Sequence, residues 1–319
     1  MKVFVTGGSG FVGGHVIEAL SAHHEVVAMA RSDRSAAVVR GFGAVPVRCS
    51  LDDVSAEQLQ GVDAVVHAAA YVEEWGEEAD YWRANVDGTQ RLLDAARAAG
   101  VRRFVAVSTN ATVFDGRGQR QVDESCAYAD DPRFPYGRSK AESERRVLAA
   151  NDAGFTTIAV RPCFVWGPRD NSVLPALTRM VKEGSFVWLD QGRAVVSTTH
   201  VFNLVHAIER ALVGGEGGQA YFVSDGEATD VRSFLSGLAA TAGLDVDAAW
   251  SVPSGAVVGL ATALEAIWRR MGWDSTPPVT RMAALLMAAD MTVSDAKARA
   301  ELGYLPPVGR AEGLHQLAA

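Results

Sequence analysis

A chain of 319 residues has room for one large domain, or for a core domain carrying a smaller lobe. Hydrophobic residues make up 48% and charged residues 21%, a globular composition that excludes wholesale disorder and a membrane-spanning bundle. The 30 Lys and Arg against 38 Asp and Glu leave a formal charge of −8 with no dense basic run, so the expected partner is a small molecule and not nucleic acid.

Short β-branched runs at 3–5, 26–28, 45–47, 64–66 and 104–107 are predicted strands, with helical patterns between them at 11–21 and 81–99. A helix at 136–150 and a strand at 157–161 continue the alternation. Helices at 171–183, 200–213 and 231–241 follow, with a strand at 220–224. Alternation of this length predicts a doubly wound α/β parallel sheet with helices on both faces. The apolar stretch 255–268 is broken by Glu265 and falls short of the ~20 residues that span a bilayer. It is expected to be a packed helix, with attachment to a membrane surface as the alternative.

Cys49, Cys126 and Cys163 show no CxxC spacing, which fits a reducing cytosol and argues against structural zinc; no metal is expected, and all three read as structural. The first strand begins at Val3 and turns at Gly7, leaving no apolar leader, so the expected location is cytoplasmic.

The glycine cluster Gly7-Gly8-Ser9-Gly10-Phe11-Val12-Gly13 lies between the first strand and the first helix. Glycines there permit a tight turn and close approach of a pyrophosphate to a helix N-terminus, whose N–H groups favour negative charge. At the end of the second strand, Ala30 stands where an acidic residue would bind the adenosine ribose. Arg31 follows, with Arg34 within reach. That pattern favours NADP(H), because guanidinium groups suit a 2′-phosphate; Asp33 keeps NAD(H) open, and two solvated loop arginines are the plainer alternative.

Tyr136 and Lys140 are four residues apart and share one helix face. A free phenol titrates near ~10, and a neighbouring ammonium stabilises its phenolate, so Lys140 is expected to make Tyr136 a usable proton donor. Thr109, at the end of the fifth strand, would hydrogen-bond the substrate oxygen.

With these residues in hand the chain resembles the extended short-chain dehydrogenase/reductases over nearly its whole length. The matching segments are Thr6 to Gly13, His67-Ala68-Ala69-Ala70, Asn85-Val86-Asp87-Gly88-Thr89, Tyr136 to Lys140, Arg161-Pro162 with Val165-Trp166-Gly167-Pro168, and Leu302-Gly303-Tyr304. Within that superfamily it is most similar to the 3β-hydroxysteroid dehydrogenase-like branch, which includes 2-alkyl-3-oxoalkanoate reductases. Trp75-Gly76, Leu148-Ala149-Ala150-Asn151 and Pro277-Pro278-Val279-Thr280-Arg281 carry that likeness.

The resemblance implies a Rossmann domain at 1–162 with 196–226, and a mostly helical substrate lobe at 163–195 with 227–319. It implies catalysis by Thr109, Tyr136 and Lys140, the lysine also holding the nicotinamide ribose. Further cofactor contacts are implied at Ser50, Leu51, Ala68, Ala69, Ala70, Asn85, Val107, Pro162, Cys163 and Val165. Two departures stand out: the segment 110–116 is one residue longer than the epimerase-like pattern, which makes Thr112 and Ser108 alternatives to Thr109 as the third group, and Ser50-Leu51-Asp52 replaces the usual Asp-Leu pair.

Candidate substrate walls are Tyr71, Trp75, Asn110, Phe114, Phe164, Trp166 and Trp188, an apolar set. Arg169, Asn171 and Arg193 are the polar groups that could clamp a diphosphate. The expected function is an oxidoreductase interconverting a ketone and a secondary alcohol on a bulky apolar, steroid-like or β-keto substrate. A nucleotide-sugar epimerase or dehydratase with tightly bound NAD is the alternative, and a non-catalytic dinucleotide-sensing protein is a third. Relatives pair through the helices that correspond to 81–99 and 136–150, so a homodimer is weighed against a monomer with Arg138, Glu142, Glu144, Arg145 and Arg146 solvated.

Overall fold

Seven strands form one parallel sheet in the computed structural model, which describes residues 1–318. They are β1 (Lys2–Thr6), β2 (Glu25–Met29), β3 (Val45–Val47), β4 (Ala64–His67), β5 (Arg103–Val107), β6 (Thr156–Pro162) and β7 (Gln219–Val223). Their order across the sheet is β7-β6-β5-β4-β1-β2-β3. The central strands read as near-continuous apolar runs because helices cover both faces; Val3, Phe4 and Val5 are fully buried. The strand order reverses direction between β1 and β4, and ligands of doubly wound sheets bind beyond the carboxyl ends of the strands at that reversal.

One face is covered by α1 (Phe11–Ser21) and α2 (Asp33–Gly41), and the other by α3 (Gly88–Ala98) and α4 (Pro135–Ala149). The predicted helix at 81–99 is interrupted. Residues Glu78–Tyr81 make one α-turn, Trp82–Asp87 form a π-helical turn, and α3 begins at Gly88. The wider turn buries Asn85 between the segment after β4 and α4, a distortion that recurs near functional sites.

The second lobe holds α5 (Val173–Lys182) and packs α7 (Val231–Thr241) around Trp166, Trp188 and Phe234, whereas α6 (Val201–Val213) belongs to the sheet's first face. A hairpin of α8 (Ser254–Met271) and α9 (Arg281–Ala288) extends from this lobe. The expectation of a packed helix at 255–268 is corrected here: the buried residues of α8 are Ala261 and Glu265, and most of its apolar side chains face outward.

The lobes interleave more than expected. Gln119–Val122, from the first half of the chain, enters a four-stranded sheet with Met291–Val293, Val195–Val196 and Thr229–Asp230 from the second half. In the other direction, Ala298, Leu302 and Tyr304 return to the core of the parallel sheet, where the Tyr304 hydroxyl donates to the Ser224 carbonyl at 2.7 Å. No helix of the described residues is long and apolar enough to cross a membrane.

Candidate active site

The turn after β1 is possible only with glycine at two positions. Gly7 has φ +69, and a Cβ on it would lie 2.7 Å from the Ala69 nitrogen. A Cβ on Gly13 would lie 2.2 Å from the Gly7 carbonyl oxygen. The close approach seats the N-terminus of α1 beside the ends of β1 and β4, and Gly10 begins the helix with no side-chain cap. The N–H groups of Phe11, Val12 and Gly13 are left for another acceptor, with Ser9 exposed beside them. This backbone cradle fits a pyrophosphate.

Toward the expected adenosine end, Ala30 is tied to β3 through its N–H, which donates to the Val47 carbonyl at 2.9 Å. Arg31 and Arg34 are exposed on either side of the Ser32 cap of α2, while Asp33 pairs with Arg48 at 3.3 Å. Ser50 is occupied by Asp53, its hydroxyl donating at 2.7 Å, and the Leu51 carbonyl accepts from Arg91 at 2.7 Å.

Pro135 occupies the first turn of α4, and Tyr136 follows it. Lys140 is buried one turn later, with Nζ donating to the Val107 carbonyl at 2.9 Å. Burial lowers the lysine to about 8, against the pull of Glu144, which raises it. Burial pushes Tyr136 up to about 12, opposed by a hydrogen bond with Thr109. In this state the phenol is a neutral proton donor, and desolvation outweighs the effect expected of Lys140.

Tyr136, Thr109 and Asn110 share a cavity of about 260 Å³. The alternative hydroxyls are engaged elsewhere: Thr112 donates to the Thr109 carbonyl at 2.9 Å, and Ser108 donates to Glu144. Trp75, Cys163 and Phe164 also line the cavity, Cys163 and Phe164 directly after Pro162 at the end of β6. Val165 is half-buried, registered against Thr199.

Several expected wall and contact residues lie elsewhere. Phe114 is packed against Phe134 with ring centroids 5.8 Å apart. Trp166 is fully buried, its indole N–H donating to Asp225 at 2.8 Å, and Trp188 donates likewise to the Val246 carbonyl at 2.9 Å. These three rings fill cores instead of facing the cavity, because each satisfies its burial within its own layer. Tyr71 stands behind the wall, edge-on to Tyr81 at 4.8 Å. Asn85 has its amide spent on the Tyr71 backbone and on the Ser139 hydroxyl, so it braces the 68–77 segment. Arg169 pairs with Glu18, Arg193 bonds the Asp190 carbonyl at 3.1 Å, and Asn171 is exposed. None of the three is among the cavity's lining residues.

Other walls were not anticipated: Phe134, Met282, Leu286 and Met291 supply apolar surface, and Glu73, Glu74, Arg133, Glu265 and Arg269 supply charge. Arg133 is held by both carboxylate oxygens of Asp131, and Arg269 stacks over the Trp75 ring at 5.3 Å. Glu265 is turned to α9, accepting from the Arg281 guanidinium at 2.9 Å.

Comparison with known proteins places this arrangement. The model of the NAD dependent epimerase/dehydratase family matches residues 3–224. The chain belongs to the NAD dependent epimerase/dehydratase family. It is 39% identical over 320 residues to the 4-hydroxy-2-methyl-3-oxo-4-farnesyl-3,4-dihydroquinoline-1-oxide ketoreductase of Stigmatella aurantiaca, covering 99% of this chain and 96% of that one. It is 36% identical to the 2-alkyl-3-oxoalkanoate reductase of Stenotrophomonas maltophilia (strain K279a), covering 100% and 99%. The dTDP-glucose 4,6-dehydratase DesIV of Streptomyces venezuelae, solved with NAD, superposes with a TM-score of 0.78 at 25% identity, covering 100% of this chain and 96% of that one. This member of the epimerase/dehydratase family is an oxidoreductase of the extended short-chain dehydrogenase/reductase type.

Two buried polar clusters of this family member were not expected, and Glu144, weighed above as a solvated residue, is buried at the centre of one of them. His67 joins Thr6 at 2.7 Å and Thr89 at 2.9 Å, and Ser143 reaches Thr89 at 3.0 Å, so β1, β4, α3 and α4 are locked together beneath the cofactor cradle. Burial pushes His67 down to about 3, which keeps its ring neutral. Glu144, one turn beyond Lys140, accepts from Ser108, from Tyr128 at 2.7 Å and from the Arg161 guanidinium. The only sequence signal for these clusters is a polar residue at the end of an otherwise apolar strand.

Proposed function

We propose that the chain is an NADP(H)-dependent reductase that interconverts a ketone and a secondary alcohol on a bulky apolar substrate. The observation that carries this is the wall of the cavity at Tyr136: aromatic and aliphatic side chains dominate it, and the arginines that reach it are engaged with Asp131 or stacked on Trp75. A nucleotide diphosphate calls for free, convergent guanidinium groups there.

A dinucleotide held on the Gly7 to Gly13 cradle would supply hydride to the carbonyl carbon. The Tyr136 hydroxyl donates its proton to the carbonyl oxygen, to which Thr109 donates a hydrogen bond. The Lys140 ammonium stabilises the phenolate that Tyr136 becomes, and the tyrosine regains a proton from water before the next turnover. Apolar walls exclude water from the forming alkoxide, which strengthens each of these electrostatic contacts. Preference for NADP(H) is supported by Ala30 at the end of β2, by Arg31 and Arg34 exposed beside it, and by the engagement of Asp33 with Arg48.

The test is net NADPH consumption with a hydrophobic ketone, compared with turnover of nucleotide sugars. Tyr136→Phe is expected to cost ~100- to 10,000-fold in kcat while NADPH still binds, as read by cofactor fluorescence. Conversion of a nucleotide sugar without net cofactor use overturns the proposal in favour of an epimerase. Unchanged activity in Tyr136→Phe overturns the catalytic assignment.

A further inference from the structure

The helix α8 carries an apolar stripe that nothing among the described residues covers. At 3.6 residues per turn, Ala256, Leu260, Ala263, Ile267 and Met271 fall within a sector of about 80°. That sector lies opposite the buried Ala261 and Glu265. Leu260 is 55% exposed, Ile267 48% and Met271 58%, so the stripe faces solvent along the whole helix. Trp273, just beyond the helix, is 45% exposed and stands edge-on to Trp268 at 4.7 Å.

Charge marks one end of this surface. In a chain of formal charge −8, the exposed charges of α8 are Arg269 and Arg270, both in the last turn, and its one carboxylate, Glu265, is buried. An apolar stripe ending in cations and tryptophans is complementary to the boundary between acyl chains and lipid phosphates. The helix is too weakly apolar to cross a bilayer, so it would lie along the surface.

The same end opens toward the catalytic cavity. A second cavity of about 360 Å³ is lined by Trp268, Arg269 and Trp273, and by Trp75, Gly76 and Pro135. Trp75, Gly76, Pro135 and Arg269 also line the cavity at Tyr136, so the two spaces adjoin.

We infer that α8 docks the enzyme on the surface of an anionic lipid bilayer, with the mouth of the substrate cavity at the membrane boundary. A lipid-soluble ketone then reaches Tyr136 along Trp273 and Trp75 without entering bulk water. The docking stands on the stripe and the arginines at its end; the delivery of substrate rests on the reductase function proposed above.

The experiment is flotation of the full chain with vesicles of phosphatidylcholine containing phosphatidylglycerol, in the absence of substrate. The protein is expected to float with the vesicles, and Leu260→Glu with Ile267→Glu to reduce the bound fraction at least tenfold. Both positions are exposed, and an unchanged melting temperature and circular dichroism spectrum show that the variant is folded. Arg270→Glu is expected to weaken binding and its sensitivity to salt.

Wild-type protein that stays at the bottom of the gradient overturns the inference. So does a stable dimer that the double substitution converts to monomer, because a second copy then covers the stripe. Vesicle binding without ketone reduction removes only the catalytic proposal, and reduction of a water-soluble ketone without vesicle binding removes only this one.

Discussion

Replacing Glu144 by Gln probes the support beneath the catalytic helix. The Glu144 and Arg161 side chains are 1% and 3% exposed, so water cannot take over the guanidinium's lost partner. Removing one member of a buried pair costs ~3–5 kcal/mol, since the other charge stays buried without compensation. Glutamine retains one carbonyl oxygen to accept from Ser108, Tyr128 or Arg161, which sets the expected loss at the low end, ~3 kcal/mol.

Equilibrium denaturation in urea measures that loss. A second substitution, Arg161→Met, is expected to restore most of it, because a buried ion pair replaced by apolar groups is often neutral in stability. The kinetic consequence is separate. The carboxylate raises the Lys140 value, so its neutralisation moves the alkaline limb of kcat/KM to lower pH. A variant as stable as the parent within ~0.5 kcal/mol, with an unmoved pH limb, refutes the idea that this buried charge supports both the packing and the lysine.

The parent enzyme has a pH signature of its own. Lys140 lies at about 8 and Tyr136 at about 12, so the ammonium is lost first as pH rises. Ketone reduction is therefore expected to be level in kcat/KM below pH 8 and to decline above it; a profile flat to pH 10 removes the ammonium from the mechanism. On the cofactor side, Arg31→Ala with Arg34→Ala removes charge-assisted contacts worth ~1.5–3 kcal/mol each. Affinity for NADPH is expected to fall at least tenfold with NADH affinity little changed, measured by fluorescence titration. Equal losses for the two cofactors would show that neither arginine meets the 2′-phosphate.

The parts of the site legible in the sequence are those whose geometry is local. Gly7 to Gly13 lie within one strand-to-helix turn, and Tyr136 and Lys140 within one turn of α4. Side chains that meet across the molecule were harder to place. Trp166 and Trp188 resemble wall residues by type, yet each finds a buried polar partner for its indole N–H, Trp166 in Asp225 and Trp188 in the Val246 carbonyl. Arg269 and Met282 reach the cavity from a hairpin more than a hundred residues beyond Tyr136, and no periodicity announces that return. The amide of Asn85, expected beside the cofactor, is turned to Tyr71 and Ser139 by a π-helical turn that the residue pattern does not announce.

The amino-acid order alone determined the doubly wound sheet, the glycine cradle after β1 and the shared face of Tyr136 and Lys140, because strand alternation, left-handed backbone and helical period act between near neighbours. Only the tertiary structure decided which of three hydroxyls faces the cavity, which aromatic rings are core and which face of α8 stays bare. Those outcomes depend on what each side chain is buried against, and burial is a property of segments brought together from distant parts of the chain.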